Sequence, residues 1–305
     1  MKKIFFILIT LFLPQLLRSQ NLAQDPSVNI KDSTINVFDT TRPVFDSIPQ
    51  SAFDSIPPQI IDTAQPVLKY SGELYPNIAG KSIMTPTAWG SYGKPYIFVF
   101  IGGAVPQVYS HKADLIASAG FEVGNAQKAV SFVGIVDINE VSMVSNFSYD
   151  GILSCNVGKA SCISIGALHL FADPVRTDTK PSYYFAFSHA VQSIPSLTEG
   201  YSRLNYTIGM GTGRFVLKSK LDVETGKGTY GTAIFANVSY EVIKNVNVAV
   251  EWTGLNLCIS AAWRPLSNLP AIGIGVTDLT RYSGDKAGFV FSIGHAFLLP
   301  SKNKQ

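Results

Sequence analysis

The chain has 305 residues, 46% of them hydrophobic and only 15% charged, with 24 Lys+Arg against 21 Asp+Glu. Lys2, Lys3 and Arg18 fall in the first twenty positions, and without them the charges balance at 21 each. No basic surplus then remains to attract a polyanion, so nucleic-acid binding is excluded as a reading.

In chain order, Lys2 and Lys3 precede the fourteen-residue apolar run "IFFILITLFLPQLL" at 4–17, which contains Pro14. That run is too short to span a bilayer and has the flanks of a signal peptide, so 1–20 is predicted to be removed on export. Residues 21–66 follow with six Asp, two basic residues and Pro26, Pro43, Pro49, Pro57, Pro58 and Pro66. Repeated prolines and the lack of apolar periodicity predict a disordered, extended tail. Within it, "FDSIPQSAFDSIPPQIIDTAQP" (45–66) repeats Asp followed by Ser or Thr. Residues 67–93 are transitional; they lead into the fold or tuck into it.

From position 94 the pattern becomes one of strands. Val246, Val248, Val250 and Trp252 alternate with Asn247, Ala249 and Glu251, and similar period-two alternation recurs to residue 298. Sustained over many segments, this predicts β-structure. About twelve strands are expected, near 94–104, 114–124, 128–138, 146–157, 161–171, 182–191, 203–213, 229–241, 245–253, 255–264, 270–279 and 287–298. Their length suits a tilted transmembrane strand of ~9–11 residues.

The two faces differ in bulk. One carries large apolar residues; the other carries mostly Gly, Ala, Ser, Thr and Asn. A water-facing exterior would carry many Lys and Glu, so the small face is assigned to an enclosed lumen and the bulky face to lipid. Trp252, Trp263, Tyr240 and Tyr206 are candidates for the interfacial aromatic girdle. The fold expected is therefore all-β: an antiparallel transmembrane β-barrel over 94–298, with a short C-terminal tail at 299–305. The charges on the small face, Glu122, Asp137, Arg203, Glu251 and Arg264, are the candidates for a lumen constriction. An ion-pair network closing the lumen is the competing expectation.

Connection lengths fit a barrel whose termini share the short-turn side, with two departures. The link 192–202 is long for a turn on that side, and the turn at Gly254 is tight for the other. Cys155 and Cys162 flank "NVGKAS". With Gly158-Lys159 as a two-residue hairpin loop, they would face each other at disulfide distance; the alternative is two small apolar residues on a strand. Cys258 has no evident partner.

Export signal, tail and alternating strands together resemble outer-membrane β-barrel proteins of Gram-negative bacteria. The final strand "GFVFSIGHAF" is similar to the aromatic-ended strand read by the barrel assembly machinery, although "LLPSKNKQ" follows it. "GFEVGNAQKAV" and "EWTGLNLCISAAWRPLSNLPAIGIGVTDLT" resemble a group of barrels in other envelope-bearing bacteria, a likeness that bears on fold and carries no activity. The resemblance implies outer-membrane lipid and the assembly machinery as partners, with the tail in the periplasm. The tail tripeptides beginning at Asp32, Asp39, Asp46, Asp54 and Asp62 resemble the Asp-Ser/Thr O-glycosylation sequon of one Gram-negative phylum. Ser33, Thr40, Ser47, Ser55 and Thr63 would be the modified residues.

No active site is evident. The histidines, His111, His169, His189 and His295, form no metal-ligand spacing. Barrel lipases and deacylases carry a His-x-Ser pair on one strand, and the sequence has none. "GMGTGRF" (209–215) lacks the Lys-Ser/Thr of a phosphate loop. The expectation is a chain with no catalytic residues, metal or cofactor, and hence no enzyme. It would be a narrow-lumen barrel acting as a small-solute channel or structural envelope protein. The alternative is a membrane anchor in a larger envelope or secretion complex, with the tail as tether to a periplasmic partner.

Overall fold

A computed structural model describes residues 72–91, 95–173, 180–266 and 269–299. The expected signal peptide, the tail with its candidate glycosylation residues, and 300–305 lie outside the described residues. Two short strands, β1 (Tyr75–Pro76) and β8 (Tyr201–Ser202), pair with each other in parallel. Twelve further strands close into a barrel with antiparallel neighbours throughout.

The first barrel strands are β2 (Tyr96–Val105), β3 (Asp114–Gly124), β4 (Ser131–Glu140), β5 (Ser145–Gly158), β6 (Ser161–Leu170) and β7 (Ser182–Ala190). The others are β9 (Leu204–Gly211), β10 (Ile234–Ile243), β11 (Val246–Trp252), β12 (Leu257–Trp263), β13 (Ala271–Thr277) and β14 (Gly288–Leu298). Each corresponds to one expected strand. β14 closes on β2, from Phe289 opposite Val105 to Leu298 opposite Tyr96. Closure leaves the barrel sheet without an edge.

Period two fixes the two faces. On β10, Phe235, Asn237, Ser239 and Glu241 are buried, whereas Ile234, Val238, Tyr240 and Val242 are exposed. Val99, Phe121, Ile208, Val250, Ile274 and Phe289 on other strands are exposed in the same way. The outside is apolar and much of the inside is polar, the reverse of a barrel built for water.

Small inward residues make room for a few large ones. A Cβ on Gly209 would stand 2.2 Å from the Phe235 ring, and one on Gly166 2.2 Å from the Tyr184 ring. Tyr184, Phe215 and Phe235 meet at ring-centroid separations of 4.6–6.1 Å and form an apolar cluster inside the barrel. Gly254 makes the expected tight turn with φ +94°, and a Cβ there would lie 2.3 Å from the Phe215 carbonyl oxygen. Only glycine suits both demands.

The cysteine bridge is not formed, and all three thiols are free. The turn falls at Lys159-Ala160, with Gly158 opposite Ser161, and the register shifts between Asn156 and Gly158. Asn156, rather than Cys155, therefore faces Cys162. A one-residue slip moves a side chain to the other face, so Cys162 is buried inside while Cys155 stands on the exterior face.

Candidate functional site: a re-entrant segment and a polar cavity

The segment 72–91 enters the barrel and returns. It starts at the rim where β2 begins and β14 ends, here the terminal rim. Gln192 clamps Leu74 on both sides: its Oε1 accepts from Leu74 N–H at 2.9 Å, and its Nε2 donates to Leu74 O at 2.9 Å. The β1–β8 pairing follows, and Tyr75 N–H donates to Gly200 O at 2.9 Å. The long 192–202 connection is therefore the ledge on which the segment docks. Glu241, fully buried, holds that ledge by accepting from Ser196 Oγ at 2.5 Å and Leu197 N–H at 3.0 Å.

Further inside, Asn77 and Asn247 exchange side-chain hydrogen bonds at 3.0 and 2.8 Å. The apex is at Glu251, four residues along β11, or about 13 Å at strand rise. Its Oε1 accepts from Ile83 N–H at 2.9 Å and from Ser260 Oγ at 2.7 Å. Its Oε2 accepts from Met84 N–H and Thr85 N–H, each at 3.0 Å, and from Thr85 Oγ1 at 3.1 Å. Three successive backbone donors wrapped on one carboxylate form an anion nest, here filled by the protein's own glutamate. Asn237 donates to Thr85 Oγ1 at 2.9 Å from the next strand.

The segment then turns back. Ala88 N–H donates to Ser188 Oγ at 2.8 Å, and Ser91 N–H donates to Glu122, which also accepts from Tyr96 Oη. A Cβ on Gly90 would collide with Ser131 and Ser154, so the return leg lies against the barrel wall. Hydrogen bonds to charged groups contribute roughly 1.5–3 kcal/mol each, so Glu251 and Glu122 are the principal anchors.

Between segment and wall lies a cavity of about 630 Å³. The segment contributes Ser82, Ile83, Thr87 and Trp89 to it. The wall contributes Glu122, Asp137, Asp150, His169, Arg214 and Arg264. Asp137 accepts from Ser118 Oγ at 2.5 Å; Ser118 and Ser148 flank it on the neighbouring strands. Asp150 Oδ1 accepts the His169 backbone N–H at 2.7 Å. Arg214 reaches in from the turn Gly213–Phe215, with Nη1 3.5 Å from His169 Nε2.

A cap covers the opposite rim. The connection 212–233 carries a helix, α1 (Lys220–Glu224), capped by Ser219. Asp222, the buried residue of this helix, accepts from Ser283 Oγ at 2.5 Å, Gly284 N–H at 2.6 Å and Tyr109 Oη at 2.8 Å. Burial alone would raise its pKa. The hydrogen bonds from Ser283, Tyr109, Gly284 and Ser219 outweigh this and hold it at about 2. Lys218 Nζ lies 3.4 Å above the Tyr282 ring, tying the same loops together.

The five predicted lumen charges occupy different places. Glu122, Asp137 and Glu251 are buried inside the barrel. Arg264 lines the cavity toward the terminal rim. It does not pair with Glu251: the register sets Glu251 opposite Cys258, six residues from Arg264. Arg203 does not enter the lumen. It lies just before β9, donates through Nε to Glu241 O at 2.7 Å, and stacks 4.9 Å over the Tyr240 ring. Sequence reading missed Asp150, Arg214 and the docking partners of 72–91. Asp150 shares the inward parity of Ser148 and Ser154 on β5, the one signal available for it. A search for His-x-Ser on one strand also misses a cross-strand contact: Ser161 Oγ and His189 Nδ1 lie 2.8 Å apart on β6 and β7.

No protein-family model matches the chain, and no curated protein matches it. Similar solved structures include a KdgM porin, at 9% identity and TM-score 0.38, covering 68% of this chain and 99% of that one. An outer membrane channel from Pseudomonas putida F1 is similar at 8% identity and TM-score 0.40, covering 68% and 96%. Outer membrane phospholipase A from Escherichia coli is similar at 7% identity and TM-score 0.34, covering 68% and 93%. This last comparison corrects the expectation that the chain is no enzyme: the barrels similar to it include one, and the fold does not rule catalysis out.

Proposed function

We propose that the chain is an outer-membrane barrel enclosing a narrow small-solute path, closed in this conformation by the re-entrant segment 72–91. The observation that carries the reading is a polar cavity, inside an apolar-surfaced barrel, bounded by a segment held to the wall largely through hydrogen bonds. An exterior of exposed Val, Ile and Phe suits hydrocarbon, whereas the buried Ser, Asn, Asp and Glu suit hydrated solutes. Trp263, Tyr240 and Tyr206 toward one rim and Trp252 toward the other stand at the levels of interfacial girdles.

The termini face the periplasm in this reading. At their rim the connections 125–130, 159–160 and 244–245 are short, while 106–113, 171–181, 212–233 and 278–287 at the other are longer. The tail would then hang in the periplasm.

Conductance in planar bilayers tests the proposal, with the full chain compared with one lacking 72–91. The deletion is expected to raise conductance well above that of the full chain. A deletion chain that inserts, shows heat-modifiable migration and conducts no more than the full chain would sink the reading.

A further inference from the structure

The cavity wall brings together three ligand-type side chains from three strands. Asp137 of β4, Asp150 of β5 and His169 of β6 each present one ligand atom, and these atoms lie within 4.8 Å of one another. A β-bulge makes this possible. Tyr149 pairs with Leu170 and Gly151 with Ala167, so Leu168 and His169 both stand opposite Asp150. Plain alternation would send His169 outward with Ser161, Ile163 and Ile165. The extra residue, with φ +55° at His169, turns it to line the cavity instead.

A second observation points to a ligand. Tyr184 of β7 lines the same cavity and is 5% exposed, and its hydroxyl, beside Ser164, makes no well-formed hydrogen bond. A buried hydroxyl without a partner is costly, and bound water or ligand is the usual remedy. The guanidinium of Arg214 lies beside the cluster, 3.5 Å from His169 Nε2. One cation does not balance two carboxylates.

We propose that Asp137, Asp150 and His169 form a binding site for a first-row divalent metal of the Zn²⁺ or Mn²⁺ class, inside the lumen cavity. Two carboxylate oxygens and one imidazole nitrogen suit a borderline cation. Ca²⁺ and Mg²⁺ favour all-oxygen shells, and Cu(I) favours sulfur. Ligand bonds of about 2.0–2.2 Å place ligand atoms at most about 4.4 Å apart, so the observed spread closes by small rotamer changes. Arg214, with Nη1 3.5 Å from His169 Nε2, opposes a cation at this site. The site stands whether or not a solute crosses the barrel.

Equilibrium dialysis of the full chain, folded in detergent, against ZnCl₂ and against MnCl₂ tests this. One equivalent of at least one ion is expected. His169→Ala and Asp150→Asn should each weaken binding by at least about tenfold, and Arg214→Gln should tighten it by about tenfold. His111→Ala, in a loop at the cap, should change nothing. Heat-modifiable migration establishes that each variant is folded. Uptake of neither ion by the wild type, or undiminished uptake in folded His169→Ala and Asp150→Asn, overturns the proposal. Should those two fail to fold, Arg214→Gln decides, and no gain in its affinity overturns it equally.

Discussion

Thr85 and Glu251 are 166 positions apart in the chain and are joined twice, through the Thr85 N–H at 3.0 Å and its Oγ1 at 3.1 Å. Ile83 and Met84 donate to the same carboxylate. One fully buried glutamate on β11 therefore sets the depth to which the re-entrant segment rises.

Glu251→Gln should loosen that apex while the barrel strands stay paired. The variant loses the charge on which three backbone donors converge, which weakens the anchor by roughly 2–3 kcal/mol. Hydrogen exchange at the amides of 83–85 should accelerate by roughly 30- to 150-fold, while the strand amides stay protected. Unchanged exchange at these amides would mean that Glu251 does not anchor the segment.

Acid should release the cap before it unfolds the barrel. The carboxyl of Asp222 is held at about 2, below the ~3.9 of an unfolded aspartate. Its contribution is thus fully present above about pH 4 and is lost as pH falls toward 2. Trp252 packs 6.1 Å from Tyr282, whose neighbour Ser283 donates to Asp222. Trp252 fluorescence, read after replacing the other tryptophans, should shift in that window. Asp222→Asn should abolish the step; a persisting step would assign it to another group.

Two glycines on the strands should respond differently to alanine. Gly209→Ala sets a Cβ against Phe235 and the Phe185 carbonyl, an overpacking that costs about 1–3 kcal/mol. Gly158→Ala meets nothing within 4 Å. Urea midpoints in detergent should fall for the first and hold within error for the second.

The free cysteines are checked by counting thiols. The denatured, unreduced chain should titrate three thiols, because Cys155 and Cys162 stand on opposite faces. A count of one would restore the bridge.

The strands were legible because period two repeats on segment after segment, and one-sided bulk distinguished a lipid-facing exterior from a wet one. Glu122, Asp137 and Glu251 were legible as inward charges by parity alone. Arg203 was not: it has the inward parity of Asn205 and Thr207 but precedes the strand, where a long side chain is free to stack on Tyr240. His169 shows the converse, since a bulge cancels parity and leaves no mark in the residue types. That 67–93 tucks into the fold is one of two readings the sequence leaves open, but where it docks is illegible for another reason. Residues 72–91 have no periodicity, and except for Glu122 their main partners, Gln192, Glu251 and Ser188, lie more than 95 positions away. Only the unusually long 192–202 link hinted at a docking ledge.

Closure of the lumen by 72–91 is tested most directly by a reversible lock. Ala88 N–H and Ser188 Oγ lie 2.8 Å apart, so Ala88→Cys with Ser188→Cys places two thiols where a disulfide can pin the segment to β7. In a Glu251→Gln background, single-channel recording should show a silent barrel when oxidised and open events after reduction. Equal conductance in both states, with the disulfide verified by mass, would contradict the account.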